Sequence, residues 1–286
     1  YKADGKWWIA DPDGYAFFSA GPDCVNVPVD CRVDGIEKWL DWLPDEKQQA
    51  YAEMFSPDRV FKDRKRNAKM FSYAGANLYR VFGEDWYQIW KKMMAGQLMQ
   101  MGMNTLGNWS DQRLFENTPI PYVTSLPEFP ETEKKIFRDF PDVLSDEYKE
   151  NAKNNAKALA ARKDDPMMIG YFLRNEPSWA FVDNLVLADE VLYNPERTVC
   201  KEKLIVALKE KYQTVEALNT AWNTKFTDFD DLYQPIRDAS AKSEAAKEDQ
   251  KTFSKEMLRA YVEIPSKACR EVDPNHMILG MRWAWI

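Results

Sequence analysis

The chain's 286 residues are 45% hydrophobic and 14% aromatic, ample for one large core or two ordinary ones. Its 39 basic and 46 acidic residues leave a formal charge of −7, which argues against a nucleic-acid partner, since phosphate backbones demand clustered Lys and Arg. No run approaches the roughly eighteen apolar residues of a membrane span, and no glycine-rich phosphate loop follows a strand to hold a nucleotide cofactor.

In chain order, the apolar runs Trp7–Ala10 and Ala16–Ala20 flank Asp11-Pro12-Asp13-Gly14 and predict an N-terminal β-hairpin, because Gly tolerates positive φ. Arg59 to Tyr73 reads as helical, with the basic knot Lys62–Arg66 as a solvated face. A second helix is predicted from Trp86 to Met101, with Trp86, Ile89, Trp90, Met93, Met94 and Leu98 on its apolar side. Met101 to Asp111 reads as a short strand turning at Gly107, and Ile120 to Phe129 as another ended by a proline. Ser145 caps a helix to about Lys163, with Asp146 and Glu147 well placed in its first turn, and Asp164-Asp165-Pro166 stops it.

A near-continuous apolar strand follows, Met167–Leu173, of the kind buried on both faces. It breaks at Arg174-Asn175-Glu176-Pro177. Past Trp179 the chain reads as mainly helical: Cys200–Tyr212, Thr214–Trp222, and a long helix from Ala241 to Val272 that Pro265 is expected to kink. "HMILGMRWAWI", from His276 onward, is the last strand. Strands alternating with crossover-sized helices predict an α/β fold with parallel strands, and a (β/α)₈ TIM barrel is the remaining candidate. Residues 1–286 are then one catalytic-type domain.

A barrel places its chemistry at the C-terminal strand ends, where Glu176 sits. A carboxyl in such a mouth, raised toward neutrality by burial, can protonate a glycosidic oxygen. Asn175 beside it can hydrogen-bond a sugar 2-hydroxyl, and Pro177 fixes the backbone after it. Alternatively, Glu176 caps the next helix or pairs with Arg174. The abundant Trp, Tyr and Phe side chains, Trp179 among them, either pack the core or stack on sugar rings. His276 is the only histidine and follows Asp273-Pro274-Asn275 in a turn, a poor setting for a catalytic base. With no Cys-x-x-Cys pair, no metal site is expected. Cys24 and Cys31 bridge a loop, or all four cysteines are buried free thiols.

"GYFLRNEP" resembles the strand-four signature of clan A glycoside hydrolases, in which Asn-Glu supplies the sugar-binding amide and the acid/base. "DGKWWIADPDGYAFFSAG" and "GMNTLGNWSD" resemble segments of the family 50 β-agarases, and "ALNTAWNTKFTDFDDL" resembles a region shared with family 42 β-galactosidases. Arg174 departs from the agarase pattern, which usually has Asp there. The resemblance implies a retaining glycoside hydrolase acting on β-linked, galactose-type sugars, with no cofactor and a carbohydrate as its partner. It makes Glu176 the acid/base and Asn175 the 2-hydroxyl ligand. Asn108, Trp109 and Asp111 become subsite residues, Arg282 and Trp283 point into the same mouth, and Glu128 is a weaker candidate. Family habit implies a periplasmic or extracellular location.

A retaining enzyme needs a second carboxylate about 5 Å from the first. Every Glu after Glu176 falls in a helical or loop reading, and the last strand matches only strand five of the family order. Either the reading frame continues to a strand ending in Glu, or the protein binds sugar without cleaving it. The exposed edges of an open barrel favour the first.

Overall fold

The computed structural model describes residues 1–11, 13–27, 31–57 and 69–283, which form two compact units, Tyr1–Val123 and Thr124–Ile286. The basic knot Lys62–Arg66, most of the Arg59–Tyr73 helix reading and the end of the last strand lie outside the described residues. Among the described residues no helix is long and apolar enough to cross a membrane.

Unit one opens with two antiparallel pairs. β1 (Lys2–Ala3) and β2 (Lys6–Trp7) are joined by Asp4 and Gly5, both at positive φ. That is the backbone of a two-residue turn whose twist matches paired strands. The expected hairpin follows as β3 (Ile9–Ala10) and β4 (Ala16–Phe17), with Ile9 opposite Phe17 and Asp11 Oδ1 accepting from the Tyr15 amide at 2.8 Å.

β5 (Cys31–Arg32), β6 (Phe55–Pro57) and β7 (Lys69–Phe71) form an antiparallel sheet with β7 central. Lys69–Phe71 is thus a strand where a helix was expected, its residues held by pairing on both sides. α1 (Tyr73–Phe82) begins at Ser72, whose hydroxyl accepts from the Gly75 amide at 3.0 Å, and α2 (Trp86–Gln100) matches the periodic reading. Val33, Met54, Phe71, Ala76 and Trp86 form the core here. Met101–Asp111 is not an extended strand: its only sheet contact among the described residues is a parallel bridge from Leu106 to Tyr122, the first residue of β8 (Tyr122–Ser125).

Unit two holds a short hairpin, β9 (Lys135–Phe137) and β10 (Phe140–Pro141), that the sequence did not predict. α3 (Asp146–Ala156) is capped by the Ser145 hydroxyl on the Tyr148 amide at 3.1 Å, and its predicted tail to Lys163 tightens into a 3₁₀ turn over Lys157–Ala161. The apolar strand is present as β11 (Met168–Phe172), with β12 (Arg174–Asn175) directly after it. Also unpredicted is α4 (Leu187–Tyr193); α5 (Val199–Tyr212) and α6 (Val215–Trp222) follow, capped by Thr198 and Thr214.

α7 (Glu244–Val272) runs through Pro265 and buries Phe253, Met257 and Tyr261 in the main core. The last strand divides into β13 (Met277–Ile278) and β14 (Met281–Arg282), separated at Gly280, φ 82°.

Two parallel registers join these strands. Gly170 pairs with Met277 and Tyr171 with Ile278; Arg174 pairs with Met281 and Asn175 with Arg282. Backbone bonds from Leu279 to Tyr171 (2.9 Å), Leu173 to Gly280 (2.8 Å) and Glu176 to Arg282 (2.9 Å) carry the ladder between and beyond them. A Cβ on Gly170 would lie 2.3 Å from the Met277 carbonyl oxygen, so only glycine allows this approach. Parallel strands joined through helices are the expected α/β pattern, although among the described residues no sheet closes on itself.

The family-42-like stretch proves structural in this unit. The Asn219 side chain accepts from the Phe226 amide and the Thr224 hydroxyl, both at 2.8 Å, and donates to the Phe226 carbonyl at 2.9 Å. His276 is buried, with Nδ1 2.8 Å from Asp273 and Nε2 2.9 Å from the Asp165 carbonyl, and this closes its turn. All four cysteines are free. Cys24 is exposed, so neither the Cys24–Cys31 bridge nor four buried thiols describes the chain.

Candidate functional site

The ladder delivers Asn175 and Glu176 to the C-terminal end of the β11–β12 strand line. Glu176 adopts φ 42°, a left-handed conformation costing a non-glycine residue roughly 1–3 kcal/mol, which surrounding contacts must hold in place. Its amide donates to the Arg282 carbonyl at 2.9 Å. The Arg282 guanidinium closes the arrangement from the side-chain direction: one Nη1 donates both to Asn175 Oδ1, at 2.9 Å, and to Glu176 Oε1. The Glu176 side chain keeps 37% exposure, so a cation, rather than full burial, is what the structure sets against this carboxylate. Pro177, at φ −62°, then opens the 3₁₀ turn Ser178–Ala180.

Arg174 does not pair with Glu176. Its guanidinium bonds Asp139 at 2.5 Å and the Tyr261 hydroxyl at 3.3 Å, and lies 5.1 Å from the Phe129 ring. Beneath the turn is an aromatic floor: Phe140 stacks on Tyr261 at 5.1 Å, and Trp179 meets both rings edge-on at 5.1 and 5.5 Å. Trp179 is buried, whereas Trp283 is 39% exposed and meets the Trp179 ring edge-on at 5.7 Å. These two tryptophans, with Val182, Leu185, Leu187 and Leu258, border a cleft of 320 Å³. An exposed tryptophan over a cleft is a surface on which a sugar ring can stack.

Glu176, Asn175, Trp179, Arg282 and Trp283 are thus brought together within unit two. Asn108, Trp109 and Asp111 form a contiguous turn in unit one. There Asn108 is buried and its carbonyl accepts from the Cys24 amide at 2.8 Å. Trp109 is 45% exposed at φ 58°, an outlier for so bulky a residue. Asp111 caps the turn Gln112–Leu114 and pairs with Arg113 at 2.6 Å. Burial alone would raise the Asp111 carboxyl, but the hydrogen bonds and charge of Arg113 hold it below the usual range. Glu128 is exposed.

Sequence reasoning missed Asp139. It lies in the two-residue loop of the β9–β10 hairpin, after Arg138 at φ 48°, and accepts from Arg174, from the amide and hydroxyl of Ser178, and from the Trp179 amide. Burial pushes this carboxyl up, but the Ser178 bonds, the Arg174 charge and the Trp179 amide leave it below the usual carboxylate range. The available signal was Arg174 itself, since a cation at a buried strand end needs an acid nearby.

A family model described as Glyco_hydro_42, β-galactosidase, matches residues 123–284, more than half of the chain. The chain belongs to this glycoside hydrolase family. It is also similar to the β-agarases, as the N-terminal motifs implied. The chain is 25% identical to Beta-agarase B of Vibrio sp. (strain JT0107), over 99% of its own length and 33% of that relative's. For Beta-agarase A of the same organism the identity is 26%, over 99% and 31%. The chain therefore spans about a third of the length of the curated relatives it matches. The solved structure of an agarase, AgWH50C, aligns with a TM-score of 0.80 at 24% identity, covering 99% of this chain and 44% of that one, a likeness of fold.

Proposed function

We propose that residues 1–286 form part of the (β/α)₈ catalytic domain of a retaining glycoside hydrolase that cleaves β-galactoside-type, agarase-like bonds in oligo- or polysaccharides. Glu176 is its general acid/base, Asn175 holds the sugar 2-hydroxyl, and Trp179, Trp283 and Arg282 line the sugar's path in unit two; in unit one, taken by itself, Asn108, Trp109 and Asp111 are sugar-subsite residues. The observation that supports this reading best is the strand-end pair Asn175–Glu176, held by one guanidinium in a strained turn, within a chain of a glycoside hydrolase family. The site works without a cofactor, and the protein acts outside the cytoplasm, where polysaccharides are met.

The partner carboxylate is not one of the glutamates that follow Glu176. Glu190 lies on α4, Glu202 and Glu210 on α5, Glu216 on α6, and Glu244, Glu248, Glu256, Glu263 and Glu271 on α7, while Glu196 lies in a loop. None ends a strand. The second reading is a carbohydrate-binding homologue that does not cleave.

The test is turnover of aryl β-galactosides and agarose-derived oligosaccharides by the protein expressed from its complete reading frame, beside Glu176→Gln. The enzyme reading expects turnover that falls about 10²–10⁴-fold in the variant, the usual contribution of a positioned general acid. Undiminished activity in Glu176→Gln refutes the acid/base role, and sugar binding with no turnover establishes the second reading.

A further inference from the structure

Both carboxylate oxygens of Asp139 are bonded to the chain around Glu176. Oδ1 accepts from the Ser178 hydroxyl at 2.6 Å and the Trp179 amide at 2.8 Å. Oδ2 accepts from the Arg174 guanidinium at 2.5 Å and the Ser178 amide at 2.9 Å. A carboxylate offers about four lone-pair positions, so this one is saturated and has none left to attack an anomeric carbon or bind a hydroxyl. Asp139 is therefore neither the missing nucleophile nor a sugar ligand.

Its donors bracket the Asn-Glu dipeptide. Arg174 immediately precedes Asn175-Glu176, and Ser178 and Trp179 follow them with only Pro177 between. A second tether comes from the same hairpin loop, where Arg138 donates to the Ser178 carbonyl at 2.9 Å. Between the brackets Glu176 keeps a left-handed φ, which the chain does not adopt unaided. The opposite side of the turn is held by the Arg282 carbonyl.

The geometry points to Asp139 as a positioning residue, a four-bond clamp that fixes the Glu176 carboxyl for proton donation and couples its hold to the Arg174 charge. This rests on the reading of Glu176 as acid/base. Arg174 gives the clamp a cation to close on, so the clamp in this chain depends on the carboxylate at 139.

The experiment compares Asp139→Asn, Ser178→Ala and Glu176→Gln in the full reading frame on two aryl β-galactosides. Phenyl needs a proton to depart, whereas 2,4-dinitrophenyl leaves without one. In kcat/KM, which reports the glycosylation step, a misplaced acid harms only the first; kcat on the second falls as well, because the same carboxyl is the base for deglycosylation. Asp139→Asn is expected to lose about 10²-fold in kcat/KM on the phenyl substrate, the scale of an ångström's misplacement. On the dinitrophenyl substrate kcat/KM should stay within about 3-fold. Ser178→Ala, which removes one hydroxyl donor at an exposed site, is expected to show the same asymmetry in smaller measure, and it keeps the test open if Asp139→Asn does not fold.

Equal losses of kcat/KM on both substrates in the variants that fold, or no loss on either, overturn the positioning role. If Glu176→Gln itself shows no asymmetry, the acid/base reading fails first. If Glu176→Gln shows it and the clamp variants do not, only the clamp is refuted.

Discussion

Replacing Asp249 with Ala tests whether buried hydrogen bonds from α6 and α5 onto α7 hold unit two together. Asp249 is nearly buried; its Oδ2 accepts from the Trp222 indole at 2.9 Å and the Tyr212 hydroxyl at 2.6 Å, while Oδ1 takes Lys211. Trp222 is fully buried, so its orphaned N–H bears close to a full desolvation cost, about 2 kcal/mol. Tyr212 reaches water and adds about 0.5 kcal/mol. Lys211 is half-exposed, so that pair contributes about 0.5 kcal/mol, as surface ion pairs do. The expected destabilisation is therefore about 3 kcal/mol.

Urea unfolding followed by tryptophan fluorescence reads this directly. With an m-value of about 2 kcal/mol/M, the midpoint falls by about 1.5 M. Asp249→Asn keeps one acceptor and is expected to lose only about 1 kcal/mol. An Ala variant within about 0.5 kcal/mol of wild type would refute the argument. Equal losses for Ala and Asn would show that the charge facing Lys211, not the hydrogen bonds to Trp222 and Tyr212, is what matters.

Asp139 and Asp111 have folded-state values held below the ordinary carboxylate value, so the unfolded chain binds the extra protons. Their stabilising contribution is complete above the unfolded value of 3.8 and is lost as pH falls through the lowered folded values. Urea midpoints at pH 7 and pH 3 are expected to drop less in Asp139→Asn than in wild type; an equal drop contradicts this linkage. Asp189 behaves oppositely: burial raises its carboxyl despite the Ser240 hydroxyl and amide, so lowering the pH toward its folded value gains stability at this site. Asp189→Asn is accordingly expected to be neutral or slightly stabilising at pH 7, and a loss above about 1 kcal/mol in the same assay would sink that assignment. Of the four free thiols, exposed Cys24 should react first with a thiol reagent. Buried Cys200, whose thiol is pushed well up by burial, should react only on unfolding, and mass spectrometry of the labelled peptides decides it.

What the sequence determined by itself was local. The Ser145 cap, the helix beginning at Thr214 and the apolar periodicity of α2 needed only near neighbours to be read, as did the apolar strand that ends on Asn175-Glu176. The Asp4-Gly5 turn carried the same kind of signal, although no hairpin was expected there. Lys69–Phe71 was misjudged because a strand flanked on both sides takes its conformation from partners at Cys31–Arg32 and Phe55–Pro57.

The site's electrostatics were decided only by tertiary structure. Glu176 was expected to stand buried or to face Arg174; instead Arg282, 106 residues away, grips it, and Arg174 turns to Asp139, 35 residues back. Charge demands a partner in a low-dielectric setting, but among 46 acidic residues nothing local says which. The parallel register of β12 and β14 and the two-residue loop of the β9–β10 hairpin make those choices. Sequence placed a carboxylate at a strand end, and the fold supplied the cation beside it and the clamp behind it.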